Sequence, residues 1–192
     1  DMTETVYSTG AFTISAWVKT NGASNYENII GGPSARNVNY FGIDGYERLV
    51  FWDLGGGAWR VGAGLTIGQW HHVALECDGS TARIYKDGVA SSDLVWSGTA
   101  DQKKCEFAYI GRIDGTSGRY WDGSIDEVSV WDVSLDADAI AAIYNSGSPI
   151  NLNEDKGNYD TSDDLEGWWR MGDSDSGAGT TVTDQTGSNN GT

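Results

Sequence analysis

Basic residues are scarce: 12 Lys and Arg stand against 28 Asp and Glu, a formal charge of −16 over 192 residues. A field of that sign repels phosphate backbones and anionic lipid surfaces, so no nucleic acid is expected as a partner. No apolar run is long enough to span a bilayer, and the start shows no charged, apolar, small-residue signal pattern, so no membrane insertion is expected either. The chain opens at Asp1 and stops at Thr192 in mid-motif, which reads as a segment of a longer polypeptide. Cysteine is nearly missing. Cys77 and Cys105 lack zinc-site spacing and leave two readings open, one disulfide between neighbouring strands or two buried thiols. No serine sits in a nucleophile elbow and no glycine loop has phosphate-binding spacing, so nucleotide binding has no support. His71 and His72 have no nearby His or Cys, and consecutive strand residues face opposite ways. His72 therefore reads as a strand histidine with a satisfied ring hydrogen bond.

What the chain does have is alternation broken by glycine. Phe12, Ile14, Ala16 and Val18 alternate with Thr13, Ser15, Trp17 and Lys19, sending one face into a core and leaving Trp17 to cover the other. Further strands are expected over 27–30, 38–43, 48–52 and 58–61, separated by Gly31-Gly32-Pro33, Asp44-Gly45 and Gly55-Gly56-Gly57. Residues 70–77 and 82–86 form the most legible hairpin, with Asp78-Gly79 and Asp87-Gly88 supplying the positive φ angles that tight turns require. The polar stretch 89–104 reads as a loop, before 107–110 re-enters the core. Short strands at this spacing predict an antiparallel all-β domain.

One stretch organises the rest. In 123–147, Ile125, Val128, Val130 and Trp131 make a β-rich run, and Leu135, Ile140, Ala141, Ile143 and Tyr144 follow at helical spacing. A strand hands directly to one short helix near 136–146, with Asp136 at the N-cap and Gly147 at the left-handed C-cap. This stretch resembles the end of a laminin G-like domain of the concanavalin A-like lectin/glucanase superfamily. The segments FTISAWVKT (12–20), WHHVALECDG (70–79), ARIYKDG (82–88) and YIGR (109–112) look like that family's successive motifs, in order. The resemblance implies an antiparallel jelly-roll β-sandwich. It implies no single activity, because one scaffold hosts many functions.

Residues 1–147 are expected to form this sandwich and 148–164, rich in Asn, Asp, Ser and Gly, a linker or surface wrap. The segment 165–192 resembles the opening strand and Asn/Gly loop of such a domain. It either completes the same sandwich or opens a second repeat; the first is favoured, because Trp168 and Trp169 would otherwise form an exposed apolar patch.

Catalysis has a specific test. Laminarinase-type glucanases on this scaffold carry a strand motif Glu-x-Asp-x-x-Glu, and the nearest match is Ser124-Ile125-Asp126-Glu127-Val128-Ser129. Serines replace both glutamates. Asp126 and Glu127, being adjacent, face opposite ways on a regular strand and cannot act as a facing pair, so no enzyme is expected. Calcium is the expected cofactor, on Asp126 with Asp122, because an acid in an apolar strand needs a cation or backbone donors. Asp173, Asp175 and Asp184 match a calcium loop only partly. Nine Trp and nine Tyr supply flat faces for sugar C–H groups, and Tyr46, Trp52, Trp59, Tyr120 and Trp121 are the expected ligand-binding set, drawn from a pool that includes Tyr26, Tyr40 and Trp96.

The expectation is a non-catalytic, calcium-binding module that recognises a glycan or cell-surface ligand within a larger extracellular, cell-surface or virion protein. The alternative is a structural assembly module of a phage tail, capsid or extracellular filament, with copies of itself or virion neighbours as partners. The run 169–173 with its Asn/Gly tail is similar to sequences of environmental phage proteins.

Overall fold

The computed structural model describes residues 6–32, 40–52, 59–95, 104–113, 119–172, 180–187 and 189–192. Among these residues, thirteen strands and one α-helix follow in chain order: β1 (Val6–Thr9), β2 (Ala11–Thr20), β3 (Glu27–Gly31), β4 (Tyr40–Ile43), β5 (Arg48–Trp52), β6 (Trp59–Gly64), β7 (His71–Asp78), β8 (Thr81–Lys86), β9 (Val89–Val95), β10 (Lys104–Phe107), β11 (Tyr109–Ile110), β12 (Gly123–Trp131), α1 (Ala137–Tyr144) and β13 (Leu165–Trp169). They build a six-stranded sheet, β13-β12-β2-β7-β8-β9, a five-stranded sheet, β11-β3-β4-β5-β6, and a β1-β10 pair, all antiparallel.

The alternation of β2 is what joins the sheets. Phe12, Ile14, Ala16 and Val18 are fully buried against Phe41, Ile43, Leu49 and Phe51 of the facing sheet, and Phe12 meets the Phe51 ring edge-on at 6.4 Å. This is the antiparallel β-sandwich expected for the family. The opposite face of the six-stranded sheet is covered too. Leu135, Ile140 and Ile143 from the α1 region, and Ile150, Leu152 and Tyr159 from the segment that follows, pack on Ala74, Tyr85, Trp131 and Trp168. Tyr159 ties this cover down: its hydroxyl accepts from Trp131 Nε1 at 3.2 Å and donates to the Leu152 carbonyl at 2.8 Å. β13 is the outer strand beside β12, with Trp169 in the inter-sheet core and Trp168 on the covered face.

Asp136 caps α1 by accepting from the Ala139 N–H at 2.8 Å. The left-handed C-cap is Asn145 (φ 46°), not Gly147; Ser146 (φ 55°) and Gly147 (φ 99°) continue the turn. Asn tolerates that conformation well enough to end the helix two residues early. The stretch 89–104, expected to be a loop, contains strand instead. Asp87 (φ 52°) and Gly88 (φ 76°) close a tight turn that returns β9 along β8, where ladder bonds to one neighbour suffice for a polar sequence.

Candidate functional site

The site begins at a β-bulge. Along β12, Asp126 pairs with Trp17 and Ser129 with Ser15, so two residues, Glu127 and Val128, oppose the single Ala16. Glu127 takes up the extra length with φ 51°, and its N–H donates to Asp126 Oδ1 at 2.8 Å. Asp126 and Glu127 thereby share the helix-covered face. The premise of strict alternation, which put them on opposite faces, fails here because a bulge shifts side-chain phase by one residue.

The two carboxylates have different surroundings. Glu127 is buried: Oε2 accepts from Trp168 Nε1 at 2.6 Å and Oε1 from Arg170 Nε at 3.2 Å. Burial pushes its pKa upward, and the bonds from Trp168 and Arg170 oppose that. Asp126 instead lines an open cleft of about 300 Å³ together with Trp17, Trp70, Gly147 and Pro149. Trp70, immediately before β7, is 43% exposed, with Lys19 Nζ 5.3 Å from its ring centre. Trp17 is held from below, stacked on Tyr144 at 5.9 Å and tilted against His72 at 5.6 Å. The cleft thus joins one carboxylate, two indoles and the turn after α1.

The histidines reverse the expectation. His71 has the satisfied ring: Nε2 accepts from the Thr66 N–H at 3.1 Å, so in the neutral ring Nδ1 carries the proton and donates to Asp87 Oδ2 at 2.8 Å. His72 is buried under Trp17 and Tyr144, and neither ring nitrogen has a hydrogen-bond partner among the described residues. Burial pulls its pKa down from 6.5 to about 4, with the Asp87 charge only partly opposing. The native state therefore refuses a proton that the unfolded chain accepts below about 6.5. This histidine's contribution to stability is complete above that pH and is lost as the pH falls toward 4. Relative to His72→Phe, the wild type should lose about 1.6 kcal/mol between pH 6.5 and 5, because the unfolded histidine is half protonated at 6.5 and nearly fully at 5. Urea midpoints at the two pH values measure this; parallel behaviour of the two proteins would refute it.

The residues expected from sequence lie apart from this cleft, Asp126 excepted. Tyr46 is exposed in the β4–β5 turn beneath Arg48, whose Cζ is 5.2 Å from the ring centre. Trp52 ends β5 on the outer face of the five-stranded sheet, stacked on Tyr40 at 6.4 Å. Trp59 stands opposite Trp52 in the ladder; its side chain lies outside what the structure describes. Tyr120 is exposed before β12, and Trp121 packs against the core with Nε1 donating to the Ser124 carbonyl at 3.2 Å. Asp122 accepts from Asn21 Nδ2 at 2.8 Å, and its N–H donates to Glu27 Oε2 at 3.0 Å. Trp96, Asp173 and Asp175 lie outside the described residues. Asp184 is buried and accepts from the N–H groups of Trp168, Thr186 and Asn189. Among the described residues, no three of His, Cys, Asp and Glu gather as a metal-holding group. Trp17 and Trp70 are missing from the sequence-derived set. Their signal was present in part: Trp17 interrupts the polar face of β2, and Trp70 precedes the paired histidines at a strand start.

Solved structures share this architecture. A candidate carbohydrate-binding protein from Bacteroides ovatus matches with a TM-score of 0.71 at 20% identity, over 100% of this chain and 56% of that one, so this chain spans little more than half its length. A heptameric SAP-like pentraxin from Limulus polyphemus matches at 0.59 and 15% identity, covering 74% of this chain and 73% of its own. Domain 4 of a GH43 extracellular arabinanase from Geobacillus stearothermophilus, in complex with arabinotriose, matches at 0.50 and 21% identity, over 70% and 66%. At such identities the likeness is one of fold. No curated protein matches the chain. A laminin G model of the concanavalin A-like lectin/glucanases superfamily matches residues 2–141, the span that supplies both β2 and the bulged β12, and the chain belongs to that family.

Proposed function

We propose that this domain is a non-catalytic carbohydrate-recognition module whose sugar lies in the cleft between Trp17, Trp70 and Asp126. The cleft itself carries the reading: two indoles offer apolar faces to sugar C–H groups, and one carboxylate accepts from hydroxyls. Its volume falls at the small end of ligand pockets, roughly 300–1,000 Å³. Most glycoside hydrolases work with two carboxyl groups flanking the bond. Here Glu127 is buried and bonded to Trp168 and Arg170, leaving Asp126 to meet a ligand. The Bacteroides and Geobacillus relatives support a sugar as the ligand class. A glycan ligand also supports an extracellular or surface setting.

Calcium enters as part of the proposal, on Asp126. Asp122 already spends Oδ1 on Asn21, and the described residues gather no three-acid group. An ion there would have to complete its oxygen shell from backbone carbonyls, water or the glycan. A thermal melt with calcium against excess chelator, repeated with Asp126→Asn, tests this: an upward shift lost in the variant supports the ion, and no shift removes it.

A glycan array followed by calorimetry tests the sugar reading. Trp70→Ala should weaken the best neutral glycan at least tenfold, on the order of 1.4 kcal/mol, and Asp126→Ala should do the same. A wild type that binds no glycan on the array would overturn the proposal and favour the assembly module.

A further inference from the structure

The outer face of the five-stranded sheet carries a feature that the cleft does not use. Ladder pairing sets Tyr109 opposite Gly31, Gly31 opposite Tyr40, and Tyr40 opposite Trp52, so one transverse row crosses β11, β3, β4 and β5. Opposed residues point to the same side of a sheet. Tyr40 packs with Val50, Ile113 and Trp52 as a cluster separate from the inter-sheet core, which puts the row outside the sandwich. Gly31 leaves a gap that the chain fills: a Cβ there would meet the Arg112 carbonyl at 2.7 Å, so the 112–113 segment crosses this face directly.

Arg119 lies on the row. Its Cζ is 5.5 Å from the Tyr26 ring centre and 5.7 Å from that of Tyr40, and its guanidinium makes no ion pair among the described residues. In a chain with 28 acidic residues against 12 basic ones, such an arginine is conspicuous. Other arginines pair with carboxylates nearby, as Arg48 with Asp44 and Arg83 with Glu76. Arg119 is also held from behind. The fully buried Asn28 donates Nδ2 to the Arg119 carbonyl at 2.9 Å; a carbonyl can only accept, which fixes the amide orientation, and Oδ1 has no hydrogen-bond partner among the described residues. Asn28 pairs with Gly42 in the ladder, on the same side as Val50. A cation stacked on tyrosines, a half-buried Trp52 and an unused buried acceptor therefore share one face.

We propose that this face is a second saccharide site, selective for uronic acids. The sugar carboxylate pairs with the Arg119 guanidinium, whose planar fork fits a carboxylate bidentately while its face stays on the tyrosine rings. The pyranose lies against Trp52. Net repulsion between an acidic chain and an acidic sugar makes this local cation the selective element, and it makes binding weaken with salt. The proposal stands independently of the Trp17–Trp70 cleft.

Calorimetric titration with oligomers of galacturonate, mannuronate and guluronate tests it, with the methyl ester of the tightest binder as the neutral control. The wild type should bind at least one uronate oligomer, and the ester should bind at least tenfold more weakly. Arg119→Gln should lose at least tenfold, and Arg119→Lys should fall between, keeping charge but not the fork. Trp70→Ala should leave the uronate titration unchanged. No uronate binding by the wild type, equal binding of the ester, or a loss confined to Trp70→Ala would each overturn the proposal. Circular dichroism on both Arg119 variants shows that they are folded when measured.

Discussion

Asp184→Ala should destabilise the domain by about 4 kcal/mol, with urea unfolding as the measurement. The carboxylate is buried at 1% exposure and joins three segments. Oδ1 accepts from the Trp168 N–H at 2.8 Å and the Thr186 N–H at 3.1 Å, while Oδ2 accepts from the Asn189 N–H at 2.9 Å and Thr186 Oγ1 at 2.6 Å. Alanine would strand at least two of these donors away from water, at roughly 1–3 kcal/mol each. The loss would spread, because Trp169 Nε1 donates to the Asn189 carbonyl at 2.8 Å and Trp169 sits in the inter-sheet core. Asp184→Asn keeps one acceptor oxygen and should cost less. A loss below about 1 kcal/mol for the alanine variant would show that this knot does not hold the C-terminal segment to the sandwich.

Glu127→Ala should cost about 3 kcal/mol, the range for breaking a buried charged pair by removing one partner. Trp168 Nε1 would be left buried without its acceptor, and Arg170 without its carboxylate. Part of the arginine is solvated, at 34% side-chain exposure, so the indole N–H dominates the loss. Glu127→Gln should recover roughly half, since it restores an acceptor for Trp168 but not the charge. Equal losses for both variants would mean that the Arg170 charge pairing, not the indole bond, carries the effect. Both variants keep a side chain at φ 51°, so backbone strain is common to them and cancels.

Much of the architecture was written in local pattern. Period-two alternation in β2 announced which residues enter the core, and Asp136 announced the start of α1 because its cap bond is made within three residues. The features that escaped are those set by pairing across the sheet. The β12 bulge depends on how Asp126 and Ser129 register against β2, more than a hundred residues away, and no local spacing encodes it. It moved Glu127 to the face of Asp126 and dissolved the argument from alternation. The polar β9 escaped because an edge strand needs backbone pairing to one neighbour more than an apolar face. Trp17 and Trp70 meet only once β2, β7 and the turn after α1 are assembled; an excess of aromatics shows that a platform can exist, not which rings build it.

The most direct test of the sugar cleft is a two-dimensional NMR titration that follows the tryptophan indole N–H signals as the best neutral glycan from the array is added. Assignments come from single tryptophan variants. The account predicts saturable shifts at Trp70 and Trp17, with the Trp52 indole unmoved, and loss of the response in Asp126→Ala. Shifts at Trp52 or Trp121 with Trp17 and Trp70 unmoved would contradict it and place neutral sugar binding elsewhere on the sandwich.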